Sequence, residues 1–109
     1  MSQRPAKVES LIQSVTAKAL FDLLEKEAAM VTVTRVDVAP DLRTATIWVG
    51  LLGAPVAQEK LWKRIEYFRP DIQRAVGAAM TTRFIPRLTI KQDTGGEYAA
   101  HIDQLLRGL

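Results

Sequence analysis

From position 7 the apolar residues Val8, Leu11, Ile12, Val15, Ala19 and Leu23 recur at intervals of three and four, and this stripe predicts an amphipathic helix over about 7–29. Lys18, Asp22, Glu25 and Lys26 fall among its other positions, with Asp22 and Lys26 spaced for a solvated i,i+4 ion pair. Two β-branched runs follow, 31–38 and 43–50, separated by Ala39-Pro40-Asp41-Leu42; they read as an antiparallel hairpin with Pro40-Asp41 in the turn. In the second run Ala45, Ile47, Val49 and Leu51 alternate with Thr44, Thr46, Trp48 and Gly50, so one set meets the helices and Trp48 points to the other face. In the first run Val31 and Val33 are out of step with Val36 and Val38, and the pattern leaves its inward register open.

After Gly53-Ala54-Pro55, a second helical stripe starts near Gln58: Leu61, Trp62, Ile65 and Phe68 lie inward, with Lys60, Lys63, Arg64 and Tyr67 outside it. Pro70 cannot sit in a helix interior without removing a hydrogen bond, but it suits the first turn of a new helix, with Asp71 at that helix's positive end. A helix, a kink and a second helix follow, the second burying Ile72, Ala75, Val76, Ala79 and Met80 and leaving Arg74, Gly77, Ala78 and Thr81 on its other side. Residues 86–91 read as a short third strand, Gly95-Gly96 as a loop, and 98–107 as a last helix with Ile102, Leu105 and Leu106 inward. Trp62, Phe21, Phe68 and Phe84 are assigned to the core and Tyr67 to an intermediate position. The order is helix, strand, strand, helix, kink, helix, strand, helix: one α+β domain over 1–109, core about 7–107, with no repeat or linker.

Length and composition narrow the function. At 109 residues, 48% apolar and 25% charged, the chain has the balance of one globular domain rather than a disordered one. Without cysteine, and with His101 the one histidine, there is no disulfide framework, thiolate nucleophile or His pair, so neither a metal nor a cofactor is expected. The longest uncharged stretch, 44–58, is interrupted by Gly50, Gly53 and Pro55 and is shorter than the roughly 18 apolar residues of a membrane span. The start of the chain lacks an apolar signal-peptide core, and a cytoplasmic location is expected. The net charge is only +3, yet between Lys60 and Lys91 eight bases stand against Glu66 and Asp71. The rest of the chain is net acidic, so a polyanion would meet one side first.

Helix, strand, strand, helix, helix, strand is the order of a type II KH domain, a module that holds single-stranded nucleic acid. The local sequence is more specific. Val33-Thr34-Arg35-Val36-Asp37-Val38-Ala39-Pro40-Asp41-Leu42-Arg43-Thr44-Ala45 resembles a valine-rich strand, Ser-Pro-Asp-Leu-type turn and alanine-led strand of the ribosome-binding factor A family. Arg83-Phe84-Ile85-Pro86-Arg87-Leu88-Thr89-Ile90, Asp93 and His101-Ile102-Asp103-Gln104-Leu105-Leu106 are similar to the same family's third strand and closing helix. At the place of that family's Ala-x-Gly kink stands Phe68-Arg69-Pro70, with proline supplying the break by another route. The resemblance spans about 7–106. It implies a KH-like fold with a three-stranded sheet and helices on one face. The implied activity is that of a non-enzymatic factor that binds the immature 30S subunit and its 16S rRNA, assists late maturation and rRNA processing, and is associated with cold adaptation.

The RNA-binding candidates are the cations of the kinked helices, Lys60, Lys63, Arg64, Arg69 and Arg74, joined by Arg83 and Arg87 at the third strand and by Arg4 and Lys7 at the start of the first helix. Cations gathered on one surface release counterions from a phosphate backbone, although a basic helix face is also an ordinary solvated surface. Arg35 and Arg43 are better placed to pair with Asp37 and Asp41. Gly50-Leu51-Leu52-Gly53 spells GxxG but closes a strand and carries two leucines, so it is read as a turn; Gly77-Ala78 permits close backbone approach or tight helix packing. Trp48 is read as stacking on a base, as contacting a ribosomal protein, or as covered by part of the chain. Asp37, Asp41 and Asp93 lack the partners of a catalytic or metal site, and no small-molecule substrate is expected. The protein is expected to be a monomer off the ribosome. The alternative is a small interaction or oligomerisation module, in which Trp48, Val31 and Val33 form an apolar sheet face that pairs with another chain.

Overall fold

Val8, Ile12, Thr16, Leu20 and Leu24, each four residues apart, are the fully inward row of the first helix. A row at that spacing climbs obliquely around a helix, and here it packs across a strand and a second helix. A computed structural model of the chain describes residues 4–81 and 85–94, which excludes Arg83, Phe84 and the predicted helix over 98–107. The elements are α1 (Arg4–Leu24), a 3-10 turn (Glu25–Met30), β1 (Val31–Val38), β2 (Thr44–Leu51), α2 (Pro55–Tyr67), α3 (Arg69–Ala79) and β3 (Arg87–Gln92). The sheet order is β1-β2-β3, with β1 and β2 antiparallel and β2 and β3 parallel. The α2–α3 pair forms the crossover that a parallel connection requires.

The first helix differs from its sequence stripe in three ways. It ends five residues early, because Glu25 takes a left-handed conformation (φ 54°) and the chain continues as a 3-10 turn. Its buried face is rotated toward Thr16, Leu20 and Leu24, so Leu11 is exposed and Phe21, expected in the core, is 70% exposed. Asp22 pairs with Lys18 at 3.4 Å rather than with Lys26. The Thr16 hydroxyl is fully buried and has no hydrogen-bond partner among the described residues. Thr16→Val keeps the shape and removes the stranded polar group. It is expected to raise stability by about 1 kcal/mol, seen as a higher urea midpoint at unchanged slope.

The open register of β1 is resolved by a bulge. Val33 pairs with Val49 and Arg35 with Trp48, so Thr34 is the extra residue and the inward phase changes across it. Val31 and Val33 therefore pack on the helix side, as Val36 and Val38 do, despite their opposite parity. The Thr34 hydroxyl donates to Asp93 Oδ2 at 2.7 Å, which ties the bulge to the end of β3, and lies 3.2 Å from the Trp48 carbonyl. The hairpin turn is closed by Leu42 N–H to Ala39 O at 2.8 Å and Ala39 N–H to Thr44 O at 2.9 Å. Leu42 adopts φ 61°, an uncommon conformation for leucine, while its half-buried side chain packs against the core.

α2 and α3 are separated at Phe68 alone. Pro70 offers no N–H to the Glu66 carbonyl, the position four residues earlier, so the α2 ladder ends and Pro70 occupies the first turn of α3. α2 begins at Pro55, three residues before the predicted start. Leu61 and Ile65 of α2 and Ile72 and Val76 of α3 join Ala45, Ile47 and Val49 of β2 and Leu88 and Ile90 of β3 in one core. Trp62 and Phe68 pack against that core half-buried, whereas Tyr67 is 76% exposed. No helix among the described residues is long and apolar enough to cross a membrane.

Candidate nucleic-acid interface

Because Pro70 fixes where α3 begins, Arg69, Gln73 and Gly77 fall four residues apart on one helical row, with Arg74 beside them. That row faces the chain leading into β3. Gln73 joins the two: its Nε2 donates to Pro86 O at 2.9 Å and its Oε1 accepts from Leu88 N–H at 2.9 Å. Gly77 brings Ile85 close, since a Cβ at that position would lie 3.2 Å from Ile85 Cδ1. The result is an open groove of about 560 Å³ lined by Arg69, Gln73, Arg74, Gly77, Ile85 and Arg87. Its rim carries three guanidinium groups and its lining is largely apolar, with Ile85 48% exposed. Arg74 is partnered by Asp71 at 2.5 Å, while Arg69 and Arg87 form no ion pair with a described residue. Cations over an apolar floor suit a phosphate-bearing chain whose sugar or base is partly unstacked.

The remaining expected cations are placed differently. Lys60 and Lys63 are exposed on α2, and Lys63 lies 3.9 Å from Glu59. Arg64 forms an ion pair with Glu27, donates to Leu23 O at 3.4 Å and lies 5.7 Å from the Phe68 ring centroid, so it braces α2 against the end of α1. Lys7 is exposed on α1, Arg4 is the first residue of α1, and Arg83 lies outside the described residues. The structure thus gathers Arg69, Arg74 and Arg87 at one groove and holds Arg64 in a structural pair. Gln73 and Ile85 were not singled out from sequence. A glutamine on a basic helix and an isoleucine before a proline give no local signal; both acquire a role only when β3 is laid beside α3.

On the outer face of the sheet, Trp48 of β2 stands between Arg35 of β1 and Lys91 of β3, which are in register with it. The Arg35 guanidinium is 4.9 Å and the Lys91 ammonium 5.7 Å from the indole centroid. Asp37 Oδ2 accepts from Trp48 Nε1 at 3.1 Å and pairs with Arg35 Nε at 3.2 Å, as the spacing of Arg35 and Asp37 suggested. For Arg43 it is the backbone N–H, not the side chain, that meets Asp41, at 3.1 Å. Val31 and Val33 lie on the opposite face, where they line a hollow with Ala17, Leu20, Phe21 and Ala28. The expected apolar face combining Trp48, Val31 and Val33 therefore does not exist; the bulge at Thr34 puts those valines with the helices.

A family model described as ribosome-binding factor A matches residues 4–106. The chain is 33% identical over 107 residues to ribosome-binding factor A of Thermomicrobium roseum, covering 97% of this chain and 83% of that one. It is 29% identical over 106 residues to that of Opitutus terrae, covering 97% and 87%. The crystal structure of ribosome-binding factor A from Thermus thermophilus has the same fold, with a TM-score of 0.67 at 17% identity over 81% of this chain and 94% of that one. A solution NMR structure of a Thermotoga maritima protein superposes with a TM-score of 0.72 at 25% identity, covering 86% and 91%.

Proposed function

Because the chain belongs to the ribosome-binding factor A family, a family of non-enzymatic assembly factors, we propose that it binds the immature 30S subunit through 16S rRNA and assists late maturation and rRNA processing. The observation that carries this reading is the groove between α3 and β3, where Arg69, Arg74 and Arg87 surround an apolar floor. Phosphates would sit on the rim and a sugar or base edge against Ile85, so that shape and charge, more than sequence, select the RNA. Arg4, Lys7, Lys60, Lys63 and Arg83 are further candidate phosphate contacts around this centre.

Away from the ribosome the protein acts as a monomer. β1 is an edge strand, but Val38 N–H is taken by Glu9 Oε2 at 3.1 Å and Val33 O by Gln13 Nε2 at 3.3 Å. Side chains from α1 thereby occupy backbone groups that a second sheet would need.

Replacing Arg69 and Arg87 together by alanine tests the groove. Co-sedimentation with immature 30S subunits is expected to show affinity reduced about tenfold at low salt, with the slope of log K against log salt shallower by roughly one to two. An unchanged affinity and slope, in a variant with wild-type circular dichroism, would remove the groove from the interface.

A further inference from the structure

We propose that the outer face of the sheet is a second contact for single-stranded RNA, taking one unpaired base against Trp48 and the adjoining phosphates on Lys91 and Arg87. This rests on the partner being RNA, as above, but on a different surface. Burial alternates along β3, so Arg87 and Lys91 project from the face opposite the core, as Trp48 does from β2. Arg87 also rims the α3–β3 groove, which makes the two surfaces continuous.

Charge selects the occupant. Two acids lie near the indole's strand: Asp37 is engaged by both Arg35 and the Trp48 N–H, and Asp93, at the end of β3, is engaged by the Thr34 hydroxyl; Lys91 and Arg87 form no ion pair to a described residue. An aromatic ring flanked by cations on a sheet is a sequence-tolerant platform for nucleotides, because every base has a π-face. The two cations are not equivalent. Arg35 is fixed by Asp37 and backs the ring, whereas the Lys91 ammonium makes only the looser 5.7 Å contact and can swing to a phosphate, freeing indole surface for a base.

The test uses the full chain carrying Trp62→Phe, in which Trp48 is the remaining tryptophan, titrated with a uridine octanucleotide at low salt. Saturable quenching of the indole is expected, weakening as salt rises. An RNA duplex of equal length and an octaglutamate peptide should leave the signal unchanged. By fluorescence anisotropy of the labelled octanucleotide, Trp48→Ala should lose about tenfold or more in affinity. Lys91→Ala should lose less, and Trp48→Phe should keep most of it. No quenching, equal quenching by the duplex, or quenching by the peptide instead would overturn the proposal. Arg69→Ala with Arg74→Ala separates the two surfaces: the quenching should persist in that variant, and its loss would assign the signal to the groove. If the octanucleotide quenches Trp48 while Arg69→Ala with Arg74→Ala leaves 30S binding unchanged, only the groove reading fails.

Discussion

Ile47→Ala is expected to remove about 3–5 kcal/mol of folding stability. Ile47 is 0% exposed on the central strand, opposite Val36 on one side and Ile90 on the other. Helices cover the same face, so no solvent-facing surface can collapse into the space left by the side chain. A domain of this size has only about 5–15 kcal/mol in total, so the variant should be close to unfolding at physiological temperature. Urea denaturation followed by circular dichroism measures it. Ile47→Val, which removes one methylene group, should cost about 1 kcal/mol and serves as the graded control. A loss of less than about 1 kcal/mol for the alanine variant would mean that the inner face of β2 is not packed as described.

Gln73→Ala should cost about 2–4 kcal/mol, more than a helix-surface glutamine ordinarily does. Its amide satisfies a carbonyl at Pro86 and an N–H at Leu88 in one span, and both of those residues are almost wholly buried. Removing the side chain leaves a donor and an acceptor unpaired, and it also releases the start of β3 from α3. Gln73→Glu should fall between wild type and alanine, because a carboxylate still accepts from Leu88 N–H but cannot donate to Pro86 O. Binding to 30S subunits should weaken in the same order, measured where each variant is still folded. Equal stability of wild type and Gln73→Ala would show that the clamp is not formed in solution.

The order of the described elements, from α1 to β3, was legible in the chain because each has a strong local cause: the i, i+3, i+4 spacing of α1, the β-branched hairpin runs, and a proline that suits the start of a helix. What escaped was set by tertiary context. The rotation of α1 toward Thr16, Leu20 and Leu24 depends on what packs against it, and a buried threonine is invisible to a hydrophobic stripe. The early end of α1 at Glu25 needs a left-handed residue that composition does not suggest there. The apolar partner face expected of Trp48, Val31 and Val33 failed because alternation holds only where no residue is inserted. The basic segment identified the side of the molecule that carries the groove. Charge spacing along a helix, however, could not show that Arg64 turns to Glu27 while Arg69 and Arg87 line a common wall.

The irregularity in β1 bears on how the outer sheet face is held. Without Thr34 the strand would read Val-Thr-Val-Arg-Val-Asp-Val, with every valine on the same side, so the insertion contributes nothing to apolar alternation. Its hydroxyl instead spans the middle strand, joining one rim of the sheet to the other through Asp93. A crossbeam of this kind keeps neighbouring side chains aligned before any ligand arrives, so less conformational freedom remains to be lost on association.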